Sequence, residues 1–102
     1  MPRLILTAGA AAGIDRCRGF LAENNALAAE RAGQTIARRL LILETNPAIG
    51  RPYDLALGLR ELVMSFGNSG YMALYHHDAD DDAIYILAIR HQREASYLTD
   101  DK

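Results

Sequence analysis

The sequence has a single cysteine, no tryptophan and no lysine before the terminal Lys102. The one thiol, Cys17, has no partner for an intramolecular disulfide, which fits the reducing cytoplasm. No apolar run reaches the length of a membrane-spanning helix, and the run at residues 4–6 is too short for a signal peptide. We therefore expect one cytoplasmic domain over residues 1–102, with no membrane partner.

Positive charge is also in short supply. The formal net charge is −2, whereas a protein that holds a nucleic-acid backbone usually carries a clear basic surplus. Six of the thirteen acidic residues lie in two short segments, residues 78–82 and 100–101. Ten arginines and seven acidic residues remain outside those segments, apart from Lys102. The sequence therefore excludes a globally basic surface but allows a local basic patch.

Helical periodicity follows a short apolar strand at Arg3–Leu6. Thr7 is a suitable cap for a first helix over residues 8–23, and Asn25 for a second over residues 26–44. Each helix carries its apolar residues along one stripe. Because only a short break separates the helices, the pattern predicts an antiparallel helical hairpin.

Three later segments are rich in β-branched and aromatic residues, namely residues 59–66, 71–77 and 83–91. Their connections are short, which predicts an antiparallel meander. The N-terminal strand is expected to join the same sheet, and the helical hairpin to cover one face. The predicted fold class is α+β, with the order β-α-α-β-β-β and a mainly antiparallel four-stranded sheet.

Several patterns that suggest metal or nucleophile chemistry are incomplete. The acidic segment at residues 78–82 lacks the glycine and the glutamate that a calcium loop needs at its later positions. His76 and His77 are neighbours on a strand, so they point to opposite faces and do not form a metal pair. Cys17 lies on an apolar helical stripe, as a core residue would. We expect neither a metal nor a cofactor.

Basic and aromatic residues collect at strand ends. Arg60 is a charge at the margin of an apolar strand face, His91 and Arg93 lie at the end of the last strand, and Tyr97 follows. Such arginines could bind a scissile phosphate, while the histidine or tyrosine transfers protons. A structural role explains the same residues, with Arg60 paired to a carboxylate such as Glu94, His91 packed against the helices and Tyr97 covering the core. The residues alone leave both interpretations open.

The motifs, in their order, resemble the RelE/ParE superfamily of toxins. A short strand precedes a helix that contains Asp15 and Phe20. The following segments read LILETNPAIGRP at the end of the second helix, then GLREL, GYMALYHH and AIYILAIRHQREASY. Each motif is short, but together they extend over about residues 3–98 and agree with the predicted element order.

This resemblance implies the toxin of a bacterial type II toxin–antitoxin module of the plasmid-stabilisation kind, neutralised by a cognate antitoxin. RelE-like members cut mRNA in the ribosome, and Arg60, Arg93 and Tyr97 would be the matching positions, with His91 as a proton carrier. ParE-like members inhibit DNA gyrase and are not nucleases. Their last strand ends in an apolar run followed by histidine, as ILAIRHQ does here.

The charge balance favours the gyrase-directed alternative, because phosphate contacts supply much of the affinity for RNA. The ribosome-dependent endoribonuclease remains the second alternative, and an inactive relative that acts only as a binding module is the third. The antitoxin is expected to lay a helix on the helical hairpin, to add a strand at a sheet edge, or to do both. A homodimer and a heterotetramer both stay open.

Overall fold

In the part of the chain that the structure describes, five strands form one mixed sheet in the order β1-β5-β4-β3-β2. The computed structural model describes residues 1–23, 25–67, 69–94 and 97. The strands are β1 (Arg3–Leu6), β2 (Arg51–Asp54), β3 (Leu59–Phe66), β4 (Ser69–Asp78) and β5 (Ala83–His91). β1 pairs parallel with β5, and the other neighbouring strands are antiparallel. The predicted α+β class is confirmed, and the sheet is mixed rather than purely antiparallel.

The strand β2 is absent from the predicted order, so the expected count of four strands was wrong. β2 contains Pro52, which has no N–H to donate, and its residues are mostly exposed. It pairs with β3 through Arg51 opposite Glu61 and Pro52 opposite Arg60, with an irregularity before Asp54. A proline is tolerated there because β2 lies at the edge of the sheet.

Within the described ranges, the two α-helices are α1 (Ala8–Ala22) and α2 (Ala26–Leu41). Both predicted caps are confirmed, since the Thr7 side chain accepts from the Ala10 N–H and that of Asn25 accepts from the Ala28 N–H. α2 ends earlier than predicted and passes into a 3₁₀ turn over Ile42–Glu44. Neither helix within the described residues is long and apolar enough to cross a membrane.

Both helices lie on one face of the sheet and enclose the core. Its largest fully buried side chains are Tyr71, Tyr75, Ile36, Leu43, Met64, Ile84, Ile86 and Ile89. α1 approaches β5 closely at Gly13, which has no side chain to keep the two elements apart. A Cβ added there would lie 2.5 Å from the Ile89 carbonyl oxygen. The Thr7 hydroxyl also donates to the Ile86 carbonyl at 2.6 Å. The helical hairpin is thus fixed to β5 along its first turns.

The other face of the sheet presents strand side chains away from the helices. On β3, Leu62 and Met64 enter the core, so the alternating Glu61 and Val63 point to the opposite side. We call this side the open face. Val63 is 41% exposed there, whereas Glu61 is only 4% exposed. Because no helix covers this face, other side chains must bury the Glu61 carboxylate and pair with its charge.

Candidate functional site

Glu61 is the centre of a charged cluster on the open face. Its Oε1 accepts from Arg51 Nε at 2.9 Å and from Arg51 Nη2 at 2.6 Å. Arg51 is placed there by the pairing of β2 with β3, which puts the two residues opposite each other. Arg90 of β5 brings its Nη2 to 3.7 Å from Glu61 Oε2. One buried carboxylate therefore lies between two guanidinium groups from different strands.

Tyr97 completes this cluster from beyond the end of β5. Its hydroxyl donates a short hydrogen bond to Glu61 Oε2. The guanidinium carbon of Arg90 lies 5.0 Å from the centroid of the Tyr97 ring, within the range of a cation–π contact. Tyr53 of β2 meets the same ring edge-on, with 5.8 Å between centroids. Tyr97 thus contacts side chains from three strands.

Burial and neighbouring charges set the protonation states of Glu61 and Tyr97. Burial opposes ionisation of Glu61, but hydrogen bonds from Tyr97 and Arg51 and the charges of Arg51 and Arg90 outweigh it, so its pKa lies below the usual value. Burial raises the pKa of Tyr97, and the hydrogen bond to anionic Glu61 raises it further. Glu61 is consequently a carboxylate and Tyr97 a neutral phenol at neutral pH. Neither group has a pKa near neutral pH, so neither is suited to proton transfer at that pH.

Arg60 lies on the other side of the sheet from Tyr97. Because Arg60 and Glu61 are consecutive in β3, their side chains point to opposite faces. Arg60 Nη1 donates to the Gly50 carbonyl at 2.8 Å and thereby fixes the loop before β2. The partner of Arg60 is therefore a backbone oxygen and not the Glu94 carboxylate that the structural interpretation named. Glu94 instead accepts a hydrogen bond from Arg16 at 3.1 Å.

His91 and Arg93 occupy a third location, near the end of α1. The His91 ring meets the Tyr71 ring edge-on with 5.2 Å between centroids, and its Nδ1 accepts from the Arg93 N–H at 3.1 Å. The Arg93 side chain is exposed. Both residues line a cavity of about 400 Å³ whose walls also include Cys17 and Phe20. His91 faces the helices, as the structural interpretation expected.

The four predicted site residues therefore do not form one constellation. Only Tyr97 belongs to the Glu61 cluster. The two arginines of that cluster, Arg51 and Arg90, were not among the predicted site residues. A usable signal was the single carboxylate on the outward positions of β3. Its partners lie 10 residues upstream and 36 residues downstream, at Arg51 and Tyr97, so the sequence gives no local pattern for them.

Metal and thiol chemistry find no support in the described part of the chain. Residues 1–23, 25–67, 69–94 and 97 contain no group of three histidine, cysteine or acidic side chains that could hold a metal ion. Asp78, at the start of the acidic hairpin tip, uses its carboxylate to accept the N–H groups of Asp80 and Asp81. Cys17 is 5% exposed, and burial raises the pKa of its thiol, which disfavours the reactive thiolate.

Comparison with known proteins agrees with this architecture. No curated protein matches the chain. Among solved structures, the chain is similar to one described as a chromosomal ParDE TA system from P. aeruginosa, with a TM-score of 0.73 and 26% identity. That match covers 89% of this chain and 96% of the other. The family model for the ParE toxin of the type II toxin–antitoxin system parDE matches residues 4–96, so the chain belongs to the ParE toxin family.

Proposed function

We propose that this toxin inhibits growth by acting on DNA gyrase rather than by cutting RNA. The observation that carries the proposal is the separation of the four candidate catalytic residues. Arg60 lies on the helix-covered face, Tyr97 on the open face, and His91 and Arg93 beside the end of α1. A nuclease needs its phosphate-binding and proton-transferring groups within reach of one scissile bond.

The charges on the open face support the same proposal. Arg51 and Arg90 both face the Glu61 carboxylate, so their charge is directed to an internal anion. The net charge of the chain is −2, which opposes tight binding to a phosphate backbone. A target that is recognised through a protein surface avoids this electrostatic penalty.

The protonation states of Glu61 and Tyr97 point the same way. A general base works best when its pKa lies near the working pH. The pKa of Glu61 is lowered and that of Tyr97 is raised, so both depart from that condition. Their contact is better suited to fixing a side chain than to moving a proton.

A cognate antitoxin is part of the proposal. The family to which the chain belongs consists of toxins of the type II toxin–antitoxin system parDE. The similar solved structure is described as a chromosomal ParDE TA system from P. aeruginosa. We propose that the partner of this chain is likewise an antitoxin that neutralises it inside the cell. Its binding surface is proposed to include the helical hairpin, a sheet edge, or both.

A gyrase assay tests the proposal directly. Purified toxin is added to gyrase, relaxed plasmid and ATP, and the products are separated on a gel. Inhibited supercoiling or trapped linear DNA supports the proposal. Unaffected gyrase, together with mRNA cleavage in a translating extract, would overturn it in favour of the endoribonuclease. No effect in either assay would favour the inactive binding module.

A further inference from the structure

Tyr97 returns to the sheet after the chain has left β5. The strand ends at His91, where the Glu94 N–H donates to the His91 carbonyl at 3.0 Å and closes a turn. Arg90 reinforces this turn because its Nη1 donates to the Glu94 carbonyl at 2.7 Å. The same arginine lies over the Tyr97 ring. Arg90 therefore links the turn after β5 to the aromatic ring that lies on the open face.

The hydroxyl of Tyr97 has a specific task at Glu61. Arg51 makes both of its hydrogen bonds to Oε1 of the carboxylate. Arg90 reaches Oε2 only at 3.7 Å, which is beyond hydrogen-bond distance. Among the described residues, Tyr97 is thus the donor that hydrogen-bonds to Oε2. A buried carboxylate oxygen without a donor is costly, so the bond favours the docked position of Tyr97.

We propose that Glu61 and Tyr97 form a latch that holds Tyr97 on the open face of the sheet. In the closed latch the ring covers the guanidinium of Arg90, whose side chain is only 14% exposed. Opening the latch uncovers Arg90 and one oxygen of Glu61. The proposal does not depend on whether the toxin acts on gyrase or on another target.

Limited proteolysis with chymotrypsin measures how often the latch opens. To cleave after residue 97, the enzyme must bind the side chain of that residue in its own pocket. A docked ring is protected, and cleavage after residue 97 follows the open population. Tyr97→Phe keeps an aromatic ring for the protease but removes the hydroxyl. We expect cleavage after residue 97 to become about tenfold faster, since a hydrogen bond to a charged group is lost. Mass spectrometry identifies the cleaved bond.

Two controls isolate the effect. Peptides of residues 92–102 with tyrosine or phenylalanine at residue 97 correct for the preference of the protease. Tyr85→Phe is the matched variant, because it removes another tyrosine–carboxylate bond, the solvent-exposed one of 3.0 Å to Asp81. Tyr85→Phe should leave cleavage after residue 97 at the wild-type rate.

Glu61→Gln tests the other half of the latch. We expect cleavage after Tyr97 to be faster in this variant too. The rate is measured under conditions in which circular dichroism shows that the variant is folded. If Glu61→Gln does not fold, the Tyr97→Phe variant decides alone. Equal corrected rates for the wild type and Tyr97→Phe would overturn the latch, as would equal acceleration in Tyr85→Phe.

Discussion

Tyr75 and Gly50 are mutually dependent in the core of the fold. The Gly50 N–H donates to the Tyr75 hydroxyl at 2.9 Å, and that hydroxyl donates to the Pro47 carbonyl at 2.8 Å. A Cβ at Gly50 would lie 2.6 Å from the tyrosine ring, so only glycine allows this approach. The contact fixes the loop from which β2 departs, and β2 in turn supplies Arg51 to the Glu61 cluster.

Tyr75→Phe should therefore lower the free energy of unfolding. Tyr75 is fully buried, and the variant leaves a backbone N–H and a carbonyl without their partner. The expected loss is about 1–3 kcal/mol, measured by urea denaturation. Tyr85→Phe is the control, because it removes a solvent-exposed hydrogen bond, and it should change the free energy of unfolding by less than about 0.5 kcal/mol. Superimposable curves for Tyr75→Phe and the wild type would contradict the prediction.

Gly13 and Gly19 provide a matched pair on α1. A Cβ at Gly13 would collide with the Ile89 carbonyl oxygen at 2.5 Å, while one at Gly19 would meet nothing within 4 Å. Gly13→Ala should destabilise the protein by about 1–3 kcal/mol, because α1 must move away from β5. Gly19→Ala should stabilise it by about 0.5–1 kcal/mol, since alanine is the better helix former. Thermal melts of both variants measure the difference, and shifts of the same sign would refute the packing argument.

Periodicity in the sequence was sufficient for the helices and for the long strands. The caps at Thr7 and Asn25 are local signals, so the starts of both helices could be predicted to the residue. β2 could not be predicted, because Pro52 and its polar neighbours carry no strand pattern. Its extended form comes from pairing with β3, a tertiary effect that propensity does not contain.

The candidate site was harder to predict than the fold. Arg60 and Tyr97 were both predicted site residues, yet sequence spacing could not show that they lie on opposite faces of the sheet. Strand alternation does establish that Arg60 and Glu61 point to opposite faces. It does not establish which distant side chains meet Glu61, because that depends on the strand order and on the path of the chain after β5.

The Glu61 cluster makes stability depend on pH in the acid range. The pKa of Glu61 is lower in the folded protein than the ordinary value of 4.5, so its stabilising effect is complete above pH 4.5. That effect is lost as the pH falls from 4.5 through the lowered pKa, when the carboxylate gains a proton. The difference in unfolding free energy between the wild type and Glu61→Gln should therefore shrink over this window. Urea titrations at several pH values measure it.

Glu30→Gln is the control for this dependence on pH. Glu30 is exposed on α2, and its substitution changes the net charge by the same amount as Glu61→Gln. We expect Glu30→Gln to follow the acid dependence of the wild type. A difference between the wild type and Glu61→Gln that stays constant from pH 6 to pH 3 would show that the Glu61 charge is not the cause.

Arg93 separates the proposed gyrase target from the nuclease alternative. Its side chain is exposed, and its backbone N–H makes the hydrogen bond to His91. Arg93→Ala should thus change the free energy of unfolding by less than about 0.5 kcal/mol. On the proposed function it should also retain growth inhibition, because no phosphate has to be bound there. Growth after induced expression, at equal protein levels, measures toxicity. A folded Arg93→Ala variant without toxicity would argue that this arginine contacts the target, and accompanying loss of mRNA cleavage would identify that target as RNA.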